Sequence, residues 1–194
     1  MAKKSWILLG IAAIVLVLMI RYMAASDQTP QGQQQLLALT QQSLPQFVQE
    51  FNQAAKVKRV ILLMSPTCPV CLEGSSKVEA VLERNPSTNL RVFAVWEPML
   101  PTDWRRPSSA VLGRLSDPRV VQIWDSKRVI AGLVEKGAVG RHPSCCTRNG
   151  AWWDVIAAYP PESKWTVSAP APTLLNGTIE RTSPELEAEL KQHF

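Results

Sequence analysis

Cysteine is scarce in this chain, four in 194 residues. That is too few for the disulfide-dense frameworks by which small secreted domains hold together without a large core. No pattern recurs at a fixed helical or blade-like period, which excludes a solenoid or a propeller. A concentrated basic face is also missing. The formal charge is +5, but Lys3, Lys4 and Arg21 flank a single apolar stretch. Taking those three from the 21 basic residues leaves 18 against 16 acidic ones. Nucleic-acid binders carry a clear basic patch or stripe, so no nucleic acid is expected as a partner, and no motif asks for a cofactor. At 46% hydrophobic and 19% charged the composition is near the globular average, which excludes wholesale disorder and a collagen-like repeat. The length is roughly one domain's worth.

The one long apolar run is SWILLGIAAIVLVLMI, from Ser5 to Ile20. Sixteen helical residues span about 24 Å, and continuing to Ala25 gives about 31 Å, against a bilayer core of about 30 Å. Arg21 then snorkels to the interface, with Trp6 and Tyr22 at the headgroup levels. A cleavable signal segment, with Ala24 and Ser26 as the small positions, is the alternative; Arg21 directly after the run fits it poorly. Residues 1–25 are therefore expected to be a single-pass anchor in an inner or plasma membrane. Lys3 and Lys4 put the N-terminus in the cytoplasm and the domain outside it, on the side that is usually oxidising. The Gln-rich residues 26–43 read as a linker, and 44–194 as the folded domain.

Within that domain, Leu44, Phe47, Val48, Phe51 and Ala55 recur at helical spacing, predicting a helix over 44–55. Val60–Met64 is a short run of apolar, partly branched residues, as in a central strand buried on both faces. Residues 67–84 read as a helix stopped by Asn85-Pro86, and 90–96 as a strand. Helical patches are expected near 109–124 and 127–135, a strand over 153–159, and a hairpin about Asn176-Gly177 within 174–180. The same turn explains the glycosylation-like triplet Asn176-Gly177-Thr178. A last helix is expected over 184–192, from the Thr182/Glu185 capping spacing and Pro184. Alternating helix and strand mean an α/β sandwich with some parallel pairing.

The most specific signal is Cys68-Pro69-Val70-Cys71, between a buried strand and a helix. Two intervening residues put both sulfurs within about one helical turn. With Thr67 as N-cap and Pro69 in the first turn, Cys68 lies at the positive end of the helix dipole, which favours thiolate over thiol. Cys68 is then the attacking nucleophile and Cys71 the shielded resolving thiol. A structural disulfide or half of a zinc site is the alternative.

The string VILLMSPTCPVC resembles the active-site strand and turn of thioredoxin-like proteins. SPTCPVC is similar in particular to the membrane-anchored members that help mature methylamine dehydrogenase. The resemblance covers about 44–96 and, more weakly, 150–194. It implies a thioredoxin-like three-layer α/β sandwich with a long insertion over about 97–150, and thiol–disulfide exchange with protein thiols or disulfides, recharged by a membrane redox partner. The chain departs from thioredoxin in having Pro-Val between the cysteines and no buried acid in VILLM. Glu97 is read as a solvated loop carboxylate, with the part of a substitute base as the alternative. Pro172 matches the local pattern of the family's cis-proline; alternatively WDVIAAYPPESKW is the family hairpin, with no proline before its strand.

Three further features stand outside that pattern. Trp104, Arg105 and Arg106 either form a lip over the cysteines or belong to an exposed loop pinned by one buried tryptophan. Trp96, Trp124, Trp152, Trp153 and Trp165 read as packing, and His193 as a terminal solvent residue. Cys145 and Cys146 are adjacent, and consecutive Cα atoms lie 3.8 Å apart, closer than the usual disulfide range. They are a second redox pair, a bridge to another chain, soft ligands for copper or zinc together with His142, or two unrelated thiols.

Overall fold

A computed structural model describes residues 10, 11, 13–17 and 28–192. The predicted span over 5–25 and His193 lie largely or wholly outside them. Among the described residues no helix is long and apolar enough to cross a membrane.

The apolar run around Val60 is β2 (Lys58–Met64), every residue of which is buried. It lies inside a six-stranded sheet ordered β1-β4-β3-β2-β7-β8. The other strands are β1 (Leu37–Ala38), β3 (Leu90–Trp96), β4 (Val120–Trp124), β7 (Val155–Tyr159) and β8 (Leu174–Gly177). The first four in the order run parallel; β7 is antiparallel to β2, and β8 to β7. β5 (Thr147–Arg148) and β6 (Ala151–Trp152) make a separate two-residue ladder.

Side chains alternate across a strand, so β2 feeds two cores. Val60, Leu62 and Met64 join a cluster with α2 (Pro69–Arg84) and α5 (Ile179–Lys191). Ile61 and Leu63 join one with α1 (Leu44–Gln53) and α4 (Val129–Gly137). A sheet covered by helices on both faces is the expected three-layer sandwich. The second core is aromatic: Phe47 and Phe51 meet Phe93, Tyr159 and Trp165 at centroid distances of 5.2–5.7 Å, mostly edge to face. The buried Arg59 guanidinium lies 4.7 Å above Phe51 and donates to the Ser163 carbonyl and hydroxyl.

Several expectations are corrected. The tail of the linker is docked: β1 pairs with β4, Leu39 is buried, and the Gln33 amide donates to the Leu115 and Asp117 carbonyls. Its apolar Leu-Leu-Ala-Leu segment has a sheet edge to cover. Residues 97–150 are not set outside the fold, since they supply β4 and α4 to the central sandwich. Only one turn of the helix expected over 109–124 exists, α3 (Ser109–Leu112). Val120-Val121-Gln122-Ile123-Trp124 is a strand, because its apolar run gains a ladder on both sides.

Asn176-Gly177 is no hairpin turn but the end of β8, and Thr178 caps α5, its hydroxyl accepting from the Arg181 amide at 3.4 Å. α5 thus begins five residues before the predicted start and contains Pro184. The carbonyl that Pro184 leaves without an amide, that of Glu180, accepts from the Ser183 hydroxyl at 2.9 Å.

Candidate redox site

Beyond Met64 the chain leaves the sheet through Ser65-Pro66-Thr67 and enters α2. This turn is held by Asp103, which is buried. One Asp103 oxygen accepts from the Ser65 hydroxyl at 2.7 Å and from the Met99 and Leu100 amides at 2.8 and 2.7 Å. The other accepts from the Thr67 amide at 3.1 Å and its hydroxyl at 2.6 Å. Burial opposes the charge, but these bonds outweigh it and hold the Asp103 carboxyl below the ordinary aspartate value. Thr67 is therefore spent on Asp103. The N-cap of α2 is Cys68 itself, with Pro69 next.

As N-cap, Cys68 presents its sulfur to the open end of the helix. Its Sγ accepts from the Cys71 amide at 3.5 Å. The Cys68 pKa is lowered to about 6, first by the hydrogen bond from the Cys71 thiol and then, against burial, by the Cys71 and Val70 amides. Cys71 is shifted the opposite way: its proton is held by the bond to Cys68, and burial and the Asp154 charge add to this. Both cysteines are free thiols, Cys71 fully buried and Cys68 5% exposed. Both sulfurs lie inside the fold, and their shifts run in opposite directions, down at Cys68 and up at Cys71.

The carboxylate that both cysteines feel belongs to Asp154, a residue not picked out from the sequence. It directly precedes β7, and the register Leu63↔Val155 puts it beside the end of β2. Its Oδ1 accepts from the Ile179 amide at 3.2 Å, and Cys71 is near enough for the two groups to influence each other's proton. Burial is the largest influence and raises its pKa above the ordinary aspartate value. Its φ of 55° is left-handed, a conformation that Asp and Asn tolerate better than most residues. The readable signal was the polar Asp at the mouth of an otherwise apolar strand.

Two predicted site residues fall elsewhere. Pro172 precedes β8, which runs in the same direction as β2. Leu174↔Ala158 and Val60↔Ala158 put that end of β8 at the start of β2, away from Cys68. The bond before Pro172 is trans; among the described residues the one cis bond joins Gly177 and Thr178. Glu97 is no solvated carboxylate. It is fully buried, and burial first, then the Asp125 charge, raise its pKa well above the ordinary value. Its acidic neighbour is Asp125, which accepts from the Ile130 amide at the start of α4.

Trp104 is 73% exposed, with the Arg105 guanidinium 4.4 Å over its ring. The loop is pinned by its neighbour Asp103, not by a buried tryptophan. Trp96, Trp124, Trp152 and Trp165 are buried.

Cys145 and Cys146 form a disulfide with each other. Their loop turns through positive φ at Val139, Gly140, Cys146, Asn149 and Gly150. It is tied to β8, with the Ser144 hydroxyl donating to Asn176 Oδ1 at 2.7 Å and the Gly177 carbonyl at 3.1 Å. The copper or zinc set with His142 is not assembled: both sulfurs are committed to one bond, and the His142 ring packs edge-on against Trp152 at 5.9 Å. Among the described residues no three His, Cys, Asp or Glu side chains are grouped to hold a metal.

No protein-family model and no curated protein matches the chain. Among solved structures it is similar to the thioredoxin domain of a thiol-disulfide oxidoreductase from Bacteroides vulgatus, at 13% identity, 70% of this chain and 82% of that one, TM-score 0.39. A thiol:disulfide interchange protein from Bacteroides sp. matches at 13% identity, 73% and 78% coverage and TM-score 0.41. A thioredoxin-like protein in the oxidized form matches at 13% identity, 86% and 93% coverage and TM-score 0.44.

Proposed function

We propose that the chain is a membrane-tethered thiol–disulfide oxidoreductase acting on extracytoplasmic protein thiols or disulfides through Cys68 and Cys71. The carrying observation is the asymmetry of the pair. Cys68 caps α2 with its thiolate stabilised, while Cys71 is buried, protonated and backed by Asp154. In the reducing direction, the Cys68 thiolate attacks a substrate disulfide and one substrate thiolate leaves. Cys71 passes its proton to Asp154 and attacks Cys68 Sγ. The second substrate thiolate leaves and takes up a proton, and the Cys68–Cys71 disulfide remains. Two electrons have moved from the protein to the substrate, and the reverse sequence oxidises a substrate dithiol.

Tethering rests on the apolar span 5–25, with Lys3 and Lys4 before it. At residues 11 and 14–17 the helical backbone displays Ile11, Ile14, Val15, Leu16 and Val17 to the surroundings, each about half exposed or more. SPTCPVC supports an exported protein as partner and commits to no particular one. The test is catalysed reduction of a model protein disulfide by the full chain in detergent. Cys68→Ser abolishes the activity, and Cys71→Ser arrests it at a mixed disulfide. A Cys68→Ser protein of undiminished rate would overturn the reading.

A further inference from the structure

The Cys145–Cys146 disulfide lies at the same end of the sheet as Cys68 and Cys71, with Cys146 packed against the core of one face and the CxxC pair in the core of the other. Gly177 ends β8 opposite Val155, the first residue of β7, and Val155 lies opposite Leu63 near the end of β2. A Cβ on Gly177 would stand 2.8 Å from the Asp154 carbonyl oxygen, 3.0 Å from Cys146 Sγ and 3.2 Å from Cys145 Sγ. The missing side chain is what lets both sulfurs close on the strand end. Asp154 thus borders both pairs: its carbonyl oxygen and the two vicinal sulfurs crowd the same Gly177 position, and its charge acts on Cys71. The approach is fixed further by the Trp153 amide, which donates to the Cys146 carbonyl at 3.0 Å.

Exposure separates the two pairs. Cys145 is exposed and Cys146 half-buried, whereas Cys68 and Cys71 are buried. A bulky protein partner reaches the vicinal pair more readily than the CxxC sulfurs.

Resting on the oxidoreductase reading, we infer that Cys145–Cys146 is a second redox centre that exchanges disulfide with Cys68–Cys71 inside one chain and presents it to external protein thiols. The Cys68 thiolate attacks one sulfur of the vicinal bond, which breaks and leaves the other as a thiolate. Cys71 gives its proton to Asp154 and attacks Cys68 Sγ. A Cys68–Cys71 disulfide forms and the second vicinal sulfur leaves as a thiolate, and the two vicinal thiolates take up protons, one of them through Asp154. One disulfide and one dithiol change places, two electrons move outward, and no outside oxidant is consumed. An external protein disulfide then re-oxidises the vicinal dithiol by the same exchange, or an external dithiol drives the sequence backwards.

The test uses the full chain with two cysteines left: Cys71→Ser/Cys146→Ser and Cys71→Ser/Cys145→Ser. Each is oxidised with glutathione disulfide at high dilution and mapped by mass spectrometry under non-reducing conditions. At least one is expected to form an intramolecular bond from Cys68 to the remaining vicinal cysteine in most molecules. Glutathione adducts on separate sulfurs in both variants, in folded protein, overturn the inference. The Cys145→Ser/Cys146→Ser variant separates this failure from that of the parent reading. It is expected to keep reversible Cys68–Cys71 cycling with glutathione while slowing exchange with a folded protein substrate at least about tenfold. Unchanged protein exchange overturns the relay alone; loss of Cys68–Cys71 cycling in wild type and variant alike overturns both.

Discussion

Replacing Cys71 with alanine removes the hydrogen bond that contributes most to the low pKa of Cys68 and leaves only the Cys71 and Val70 amides. With a pKa of about 6 against an ordinary 9.0, Cys68 is about 90% thiolate at pH 7, where an ordinary thiol is about 1%. Nucleophilicity falls with pKa at a Brønsted slope of about 0.4–0.5, which returns roughly 20-fold. The net advantage is about fivefold at pH 7 and about 40-fold at pH 5, where an ordinary thiol has almost no thiolate. The rate of Cys68 alkylation by iodoacetamide should therefore rise tenfold per pH unit below about 6 and level off above it. In Cys71→Ala the midpoint should move up toward the ordinary value, and alkylation at pH 5 should slow, by up to about 40-fold if the whole shift is lost. Mass-spectrometric rates across pH 4–10, checked by thiolate absorbance, give both curves. A wild-type midpoint near 9, or one that Cys71→Ala leaves in place, would refute this account of the activated sulfur.

Asp154→Asn keeps the left-handed backbone and the acceptor for Ile179 but removes the base. Resolution of the Cys68 mixed disulfide should slow by about a hundredfold, while alkylation of Cys68 in the same protein changes little. Asp103→Ala leaves the amides of Thr67, Met99 and Leu100 and the Ser65 hydroxyl without their acceptor, and should cost more than about 3 kcal/mol in urea unfolding. The Asp103 pKa is lowered on folding, so its contribution is fully present above the unfolded value of about 3.9 and is lost as pH falls through the folded one. The gap between wild type and variant should therefore close in acid. Gly137→Ala would put a Cβ 1.9 Å from the Ala169 carbonyl oxygen. The backbone must move, at about 3 kcal/mol or a melting temperature lower by about 6–12 °C.

The strands read most directly from the sequence are those buried on both faces. Val60–Met64 and Leu90–Trp96 appear as unbroken apolar runs because no side of them meets water. The Cys68–Cys71 pair was legible for a local reason, since strand end, proline and helix start lie within a dozen residues. What went unread depends on contacts between distant segments. Val120–Trp124 has the composition of a strand, but its neighbours in sequence suggested a helix, and only pairing with β1 and β3 decides the matter. Asn176-Gly177 has the chemistry of a tight turn, yet Gly177 is needed for the room its missing side chain gives the Cys145 and Cys146 sulfurs. The base was sought near Cys71 in sequence and in Glu97. The base we propose is Asp154, which comes to the CxxC end of the sheet only because β7 pairs with β2. Pro172 had the right local pattern on a strand whose start lies at the wrong end of the sheet.

The most direct test of the central claim is a redox titration. The full chain is equilibrated across a glutathione series, and the alkylation state of each cysteine is mapped by mass spectrometry. The account predicts that Cys68 and Cys71 switch together, reversibly, in one two-electron step with a tenfold change per about 30 mV. Cysteines that stay alkylatable across the whole series, or take up glutathione singly without pairing, would contradict it.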